Sequence, residues 1–440
     1  MPAIPEPDPV PASHARARGT ARGLRRWVAL ASLLLVVAPS SRGQEPEAAA
    51  LFARYNDRIL QVRLIDRGAG EKAGLGTGFL VAGGGLIATN FHVIAHWVDR
   101  PEKYRLEYVD GQGRTGTLEL LDVDVVNDLA LLRSDVLDRE PLALPDGAPE
   151  RGETIYSLGN PYDIGLTVVP GTYNGIDEGS YYPQIHFSGS INAGMSGGPV
   201  LDADGSVVGV NVATAGNQVS FLVPVAALRT LLDEWRERDA PLDDFRARIR
   251  EQLVANQRAL VAAMLERPWP TEPLGEATVV GELRPFVKCW GDSSDEDQLF
   301  RWVSSSCRSG RQILLDDDFG TGVVAYQFFW LEPHELSWPR FRRHYQSLFS
   351  AFVPDNAAGE DDVTEFACEE LFVRDASDHV DKAVLCVRSY LEYPELYDAL
   401  YLRGSVDESE HAFVSHFTLA GMARESIAAF LERFQGVVAR

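Results

Sequence analysis

Between residues 59 and 225, apolar residues come in short runs that break repeatedly at glycine or at an Asp/Asn-Gly pair. ILQVRLID, GTGFLVAGGGLIATN, YRLEYVDGQGR, TIYSLGNP, LTVVPGTY, QIHFSGSI and VSFLVPV are rich in Val, Ile, Tyr and Thr, which suit a pleated, half-buried surface. Short runs punctuated in this way predict an all-β region, a barrel or a sandwich. Within it, VLDADGSVVGV predicts a hairpin that turns at Asp204–Gly205. After Pro224 the period changes. VAALRTLLDEWRERD and the stretch from Pro241 to Arg267 read as helices, and Leu242, Phe245, Ile249, Leu253, Leu260 and Met264 fall on one apolar stripe expected to pack on its own chain. RPWPTEP (267–273) is expected to stop the helix and act as a linker. Beyond it, TGVVAYQFFWL and HAFVSHFTL read as strands, and WPRFRRHYQSLFSAF and ARESIAAFLERFQGVV as helices.

One apolar run stands apart. Arg16, Arg18, Arg22, Arg25 and Arg26 precede WVALASLLLVVA (27–38), which is followed by the turn-rich PSSRGQ; this is the layout of an export signal. The run is shorter than the roughly 20 residues that a bilayer span takes, so a removed signal is expected over a retained anchor. The chain then divides into a signal (1–43), a β-rich domain (44–240), a helical linker (241–273) and an α+β domain (274–440).

Charge narrows the partners. The 440 residues carry a formal charge of −23, a field that disfavours nucleic acid and anionic membrane surfaces. Cys289 and Cys307 have seventeen residues between them, and so do Cys368 and Cys386. An even count behind a signal segment favours disulfides; three pairings are open, and the two local ones are expected. Each is followed by a strand and a helix, a faint internal duplication. No Cys-x-x-Cys or His partner spacing is present, the acidic clusters match no EF-hand loop, and nothing calls for a metal or cofactor.

Candidate chemistry centres on NAGMSGGPV (192–200), which sets Ser196 among small, turn-prone residues. A serine hydroxyl is a poor nucleophile near neutral pH. It needs an imidazole to take its proton, a carboxylate to orient that imidazole and amides for the developing oxyanion. The β-rich segment offers His92 in IATNFHVIAHW, at the end of an apolar strand, then His96 on the following turn, expected to be exposed, and His186 within a strand, where it reads as a satisfied barrel residue. Asp128 in VVNDLALLR enters a strongly apolar strand. It reads either as a turn aspartate or as a partly buried carboxylate that needs a donor.

TGFLVAGGGLIATNFHVIA, NDLALLR, SLGNPYDIGLTVVPGTYNGI and SINAGMSGGPVLDADGSVVGVNVA, taken in this order, resemble the blocks of trypsin-like serine proteases, in particular the HtrA/Deg branch of exported bacterial proteases. The resemblance covers roughly residues 59–232. It implies a double β-barrel of the trypsin-like type, two six-stranded barrels with the active site in the cleft between them, followed here by helices and a separate α+β domain with disulfides. It also implies that His92 is general base and then general acid, Asp128 its orienting partner and Ser196 the nucleophile, with the N–H groups of Gly194 and Ser196 lining the oxyanion hole. NVATAG (211–216) aligns with the strand that pairs with substrate backbone, so Asn211, Val212 and Ala213 are expected at the substrate. Ile191 is expected to help wall the pocket, and residues 188–200 contain no acidic residue to receive lysine or arginine. The branch carries PDZ domains after the protease, and residues 274–440 do not resemble one.

The function expected is therefore an exported, periplasmic or extracellular serine endopeptidase. It would hydrolyse peptides or unfolded proteins through an acyl-enzyme, with no cofactor and no stable membrane span, oligomeric state left open. The alternative is a catalytically latent protease-fold binding or scaffold protein of the cell envelope. A third reading gives the C-terminal segment the task of binding a ligand or envelope partner and directing the protease.

Overall fold

The computed structural model describes residues 47–216, 218–238, 240–295, 300–316, 318–354, 356–374, 379–406 and 411–440; the expected export signal lies outside them. Glu45–Arg440 forms one compact unit.

Helix α1 (Glu47–Tyr55) leads into a sheet built from β1 (Ile59–Asp66), β2 (Lys72–Ala82), β3 (Leu86–Thr89), β4 (Tyr104–Val109), β5 (Thr115–Thr117), β6 (Glu119–Asp124) and β7 (Leu129–Arg133), with the short helix α2 (Ala95–Asp99) after β3. Its strands are apolar on both faces. Leu60, Val62, Leu64, Leu80 and Ile87 enter one buried cluster, while Ile59, Phe79, Val81, Leu86 and Ala88 enter another. Strand alternation assigns successive residues to opposite faces, which is why ILQVRLID carries apolar residues at both odd and even positions, with Gln61 and Arg63 between them.

A second sheet closes on itself: β8 (Thr154–Gly159), β9 (Thr167–Ile176), β10 (Ile185–Phe187), β11 (Pro199–Leu201), β12 (Val207–Gly216) and β13 (Val219–Pro224) form a barrel in the order β10-β13-β12-β11-β8-β9. Ile155, Tyr173, Phe187, Met195, Val200 and Leu222 fill it. The hairpin expected at Asp204–Gly205 joins β11 to β12, with Gly205 at φ +87°.

The first sheet runs in the order β5-β4-β1-β2-β3-β7-β6. Its two ends are consecutive in the chain: only Leu118 separates β5 from β6, and Leu118 N donates to Leu106 O (3.0 Å). The two are therefore segments of one bent strand, β5 beside β4 and β6 beside β7. Counted so, the sheet has six strands and returns on itself through that bend.

Helix α3 (Val225–Glu237) covers the apolar junction of sheet and barrel through Leu228, Leu231 and Leu232. Helix α4 (Phe245–Leu265) begins after Leu242, with Asp244 accepting from Ala247 N (2.9 Å) as its cap. Its stripe is shared between two cores: Ile249 and Leu253 pack inside the first sheet, Leu260 and Met264 against the C-terminal one. The linker expected at 267–273 is likewise built into the structure. Trp269 is buried, donates to Met264 O (2.9 Å) and packs on Phe430, and β14 (Thr271–Leu274) pairs with β15 (Ala277–Val280).

The C-terminal region is a seven-stranded antiparallel sheet of β16 (Val287–Ser293), β17 (Phe300–Ser309), β20 (Val324–Pro333), β21 (Ala367–Arg374), β22 (Val380–Ser389), β23 (Tyr397–Ser405) and β24 (Ala412–Met422), in the order β16-β17-β20-β24-β23-β22-β21. A small hairpin, β18 (Ile313–Asp316) and β19 (Phe319–Thr321), leaves it between β17 and β20. Helix α5 (Trp338–Ser350) covers one face, over Leu331, Leu400, Leu402 and Val414. Helices α4 and α6 (Arg424–Val437) cover the other, over Tyr326, Phe328, Tyr401 and Phe417. Cys289–Cys307 and Cys368–Cys386 are bonded, each between directly facing residues of an outer hairpin, with Cα atoms 4.0 Å apart. The suspected duplication thus corresponds to one stapled hairpin at each edge of a single sheet.

Candidate active site

The turn between β6 and β7 presents Asp128. Its backbone is in the left-handed region (φ +58°), which Asp and Asn tolerate better than most side chains. The turn is held from several sides. Asp124 accepts from the backbone N–H and side-chain amide of Asn127 (3.0 and 2.6 Å), Asn90 Nδ2 donates to Asp128 O (2.7 Å), and Gln252 of α4 bonds Val123 O and Val125 N (2.7 and 2.9 Å). Burial pushes the Asp124 carboxyl above its usual value, against the opposing bonds from Asn127. The Asp128 carboxylate is 2 % exposed and makes two contacts with one residue: Oδ1 accepts from His92 N (2.9 Å) and Oδ2 lies 2.7 Å from His92 Nδ1. Two points of attachment fix the ring's position as well as its distance. An imidazole Nδ1–H donated to a carboxylate leaves Nε2 as the acceptor.

The residues around Ser196 are stitched to the same strands. Thr77 N donates to Ser196 O (2.8 Å), Thr77 Oγ1 to Gly194 O (2.7 Å), and Thr89 Oγ1 to Thr77 O (2.7 Å). Gly197 has φ +82°, and any Cβ there would collide with Thr77 O, Thr89 Oγ1 and Asn90 N. Gly76 faces both Val93 and Ser196 O, so the serine turn and the turn carrying His92 meet across β2. Gly194 has φ +93°, Ala193 O accepts from Tyr162 N (2.9 Å), and Met195 is fully buried in the barrel. Because a trans peptide sets N–H opposite C=O, the Gly194 N–H points away from Tyr162. Ser196 Oγ lies 3.3 Å from Val212 O.

The residues expected at the substrate divide. Val212 is beside the serine hydroxyl, and Ala213 follows it on β12, paired with Phe221 of β13. Asn211 differs from expectation: it is fully buried, its backbone bonds Gly197 N and Gly198 O, and its side chain bonds Ser157, Leu158 O and Met195 O. Every polar group of Asn211 is thus engaged within the fold, and it serves to anchor the serine turn. Ile191 also differs, being 5 % exposed within the barrel core. His96 was expected to be exposed; it is half-buried, with Nδ1 3.1 Å from Asp316 Oδ1. His186 is half-buried beside Phe221 rather than enclosed in the barrel.

Residues 76–210 match the family model of the trypsin-like peptidase domain. Over 178 residues the chain is 31% identical to serine protease HTRA1 of Xenopus laevis, covering 38% of each chain, and over 227 residues it is 29% identical to mitochondrial serine protease HTRA2 of Bos taurus, covering 48% of each. Residues 76–210 carry a trypsin-like peptidase domain, similar to that of HtrA serine proteases. It spans about two fifths of the length of the first curated relatives it matches, 38% for HTRA1 of Xenopus laevis. A serine endoprotease structure from Yersinia pestis superposes at a TM-score of 0.38 with 24% identity, covering 43% of this chain and 67% of that one.

Two features of the peptidase domain's surroundings have no signal in the sequence. Arg311, from the C-terminal region, sets NH2 3.8 Å from Asp128 Oδ2; one arginine among many offers no pattern to find. Tyr162 is 64% exposed beside the serine turn, with its hydroxyl 3.4 Å from Asn192 Oδ1, and both it and Asp163 have positive φ. The dipeptide YD after Asn160-Pro161 reads as an ordinary turn. Among the described residues no helix is long and apolar enough to cross a membrane, and no group of His, Cys, Asp and Glu is arranged to hold a metal ion.

Proposed function

We propose that the chain is an exported serine endopeptidase that cleaves peptides or unfolded proteins through an acyl-enzyme intermediate. His92 is general base and then general acid, Asp128 orients it, Ser196 is the nucleophile, and the N–H groups of Gly194 and Ser196 receive the oxyanion. The observation that carries this reading is the two-point hold of Asp128 on His92, at Nδ1 and at the backbone N–H, with the serine turn bonded to the adjacent strand β2. A carboxylate that fixes an imidazole with its far nitrogen accepting is the arrangement that lets a serine lose its proton as it attacks a carbonyl. The left-handed backbone of Gly194 supports an amide turned toward developing negative charge, and one such donor is worth about 10²–10³ in rate. The open side of β12 beyond Val212 supports recognition of substrate backbone by strand addition. Acting outside the cytoplasm accords with the two disulfides.

The experiment is labelling with a fluorophosphonate, which reacts with activated serines. The wild-type chain should be labelled at Ser196, and Ser196→Ala and His92→Ala should lose labelling while keeping their circular dichroism. A folded wild-type chain that stays unlabelled across pH 5–9 sinks the reading. It would favour the alternative, a latent protease-fold scaffold, whose own support is that the Asp128 carboxylate is shared with Arg311 of the C-terminal region.

A further inference from the structure

The contact between Arg311 and Asp128 belongs to a docked surface. Arg311 lies between β17 and β18, and the hairpin that follows it packs on the turn carrying His92. Ile313, Leu315 and Phe319 share one buried core with Phe91, Val93, Ile94 and Val98. At the rim, Asp316 Oδ1 is 3.1 Å from His96 Nδ1. The loop between β9 and β10 is held from the same side, with Tyr181 edge-on to Phe286 at 5.0 Å and Tyr182 accepting from Asn256 Nδ2 of α4 (2.8 Å). The guanidinium is therefore delivered by a packed hairpin to a site largely shielded from water. The Arg311 side chain is 16% exposed and that of Asp128 3%.

Asp128 Oδ2 thus faces two partners, the His92 ring at 2.7 Å and a permanent cation at 3.8 Å. We propose that Arg311 is a positioning residue for the peptidase site, by which the C-terminal region sets the acid limit of catalysis. The inference rests on the reading of His92 as the base. A fixed positive charge beside the carboxylate offsets part of the field that favours imidazolium, so His92 remains the free base to lower pH than the carboxylate alone would allow. Two like charges a few ångströms apart in a partly dry site interact by amounts that correspond to about one pH unit. The other ionisable groups packed on this pair are His96 of α2, Asp316 of β18, Asp124 of the same turn and the Tyr182 hydroxyl; substitution of Arg311 leaves them in place.

The test uses the full chain with selectively ¹⁵N-labelled histidine, following the His92 ring through pH, beside the pH dependence of fluorophosphonate labelling. In Arg311→Gln the His92 midpoint and the acid limb of labelling should both rise by about one unit, and Arg311→Lys, which keeps the charge, should restore most of the shift. Coincident titrations in wild type and Arg311→Gln overturn the inference, and so does a shift in Arg311→Lys as large as that in Arg311→Gln. Should the wild type titrate as expected yet resist labelling, the proteolytic reading falls while the electrostatic coupling stands. The two failures are distinguishable because the ring titration needs no turnover.

Discussion

The peptidase domain and the C-terminal sheet face the same difficulty, exposed backbone groups at the ends of a sheet, and resolve it by different means. The barrel of β8–β13 closes on itself, so none of its strands ends the sheet. The C-terminal sheet stays open at seven strands, ties each outer hairpin with a cross-strand disulfide, and lays helices over both faces. Backbone strain is distributed just as unequally. All four described non-glycine residues with positive φ, Asp128, Tyr162, Asp163 and Gln218, precede the C-terminal region, where only Gly275, Gly322 and Gly421 adopt it. Strain of this kind persists only where the surroundings over-determine it. Three of the four lie around the candidate site, in the turn of Asp128 and the segment against the serine turn, and Gln218 lies between β12 and β13. One region concentrates unfavourable backbone geometry; the other is tied by disulfides and contributes a cation to the first.

The sharpest way to break this contrast is to remove charge without removing strain. Asparagine tolerates the left-handed backbone as aspartate does, so Asp128→Asn should keep the turn and its stability. Yet it lets the imidazole settle in the wrong tautomer, and labelling of Ser196 should slow by about 10⁴-fold. A variant that labels at the wild-type rate would show that the strained turn serves only to fold the chain. The next largest effect belongs to the other region. Replacing either cysteine pair by serines frees a loop of sequence separation 18, which the chain-entropy account values at about 3 kcal/mol. Urea unfolding should show that loss in the C-terminal sheet while the amides of β8–β13 keep their hydrogen-exchange protection. Equal loss of protection in both regions would mean that α4, shared by their cores, makes them one cooperative unit.

How much of this was legible beforehand follows the same division. The short apolar runs of the peptidase domain announced its strands, because glycine and Asp-Gly turns punctuate them where the backbone reverses. Asp204–Gly205 is an instance. His92, Asp128 and Ser196 could be singled out because each sits at a strand end or turn beside an apolar run. The helical stripe from Phe245 to Met264 was readable too, but not that Ile249 and Met264 would serve different cores, since periodicity reports a face and not what covers it. Asn211 was misjudged for a related reason. The resemblance of NVATAG to a substrate-pairing strand carries the expectation to its first residue, and only the packing reveals that Ser157 and two carbonyls already use the Asn211 amide. RPWPTEP reads as a linker by its prolines, yet Trp269 is an anchor. The bend at Leu118 that carries one strand from β4 to β7 depends on packing, and Arg311 on a tertiary approach that leaves no trace in local sequence.

The smallest effect separates the two regions by the sign of their response to acid. His416 of β24 is 2% exposed, packs on Phe352 and has a pKa lowered by burial to about 4. Its folded pKa lies below its unfolded value, so the unfolded chain binds the extra proton first. Its contribution is complete above pH 6.5 and is lost as pH falls toward 4, amounting to about 2 kcal/mol between pH 7.5 and 5. Asp124 in the peptidase domain has its carboxyl raised by burial, so there the folded state binds its proton first and acidification favours folding. Urea midpoints at pH 7.5 and 5 should therefore differ less in His416→Phe than in wild type. A wild-type difference that His416→Phe leaves unchanged would move the acid sensitivity of the C-terminal sheet away from its buried imidazole. The ion pairs of its outer strands would then be the place to look, among them Lys382 with Glu370 at 2.8 Å.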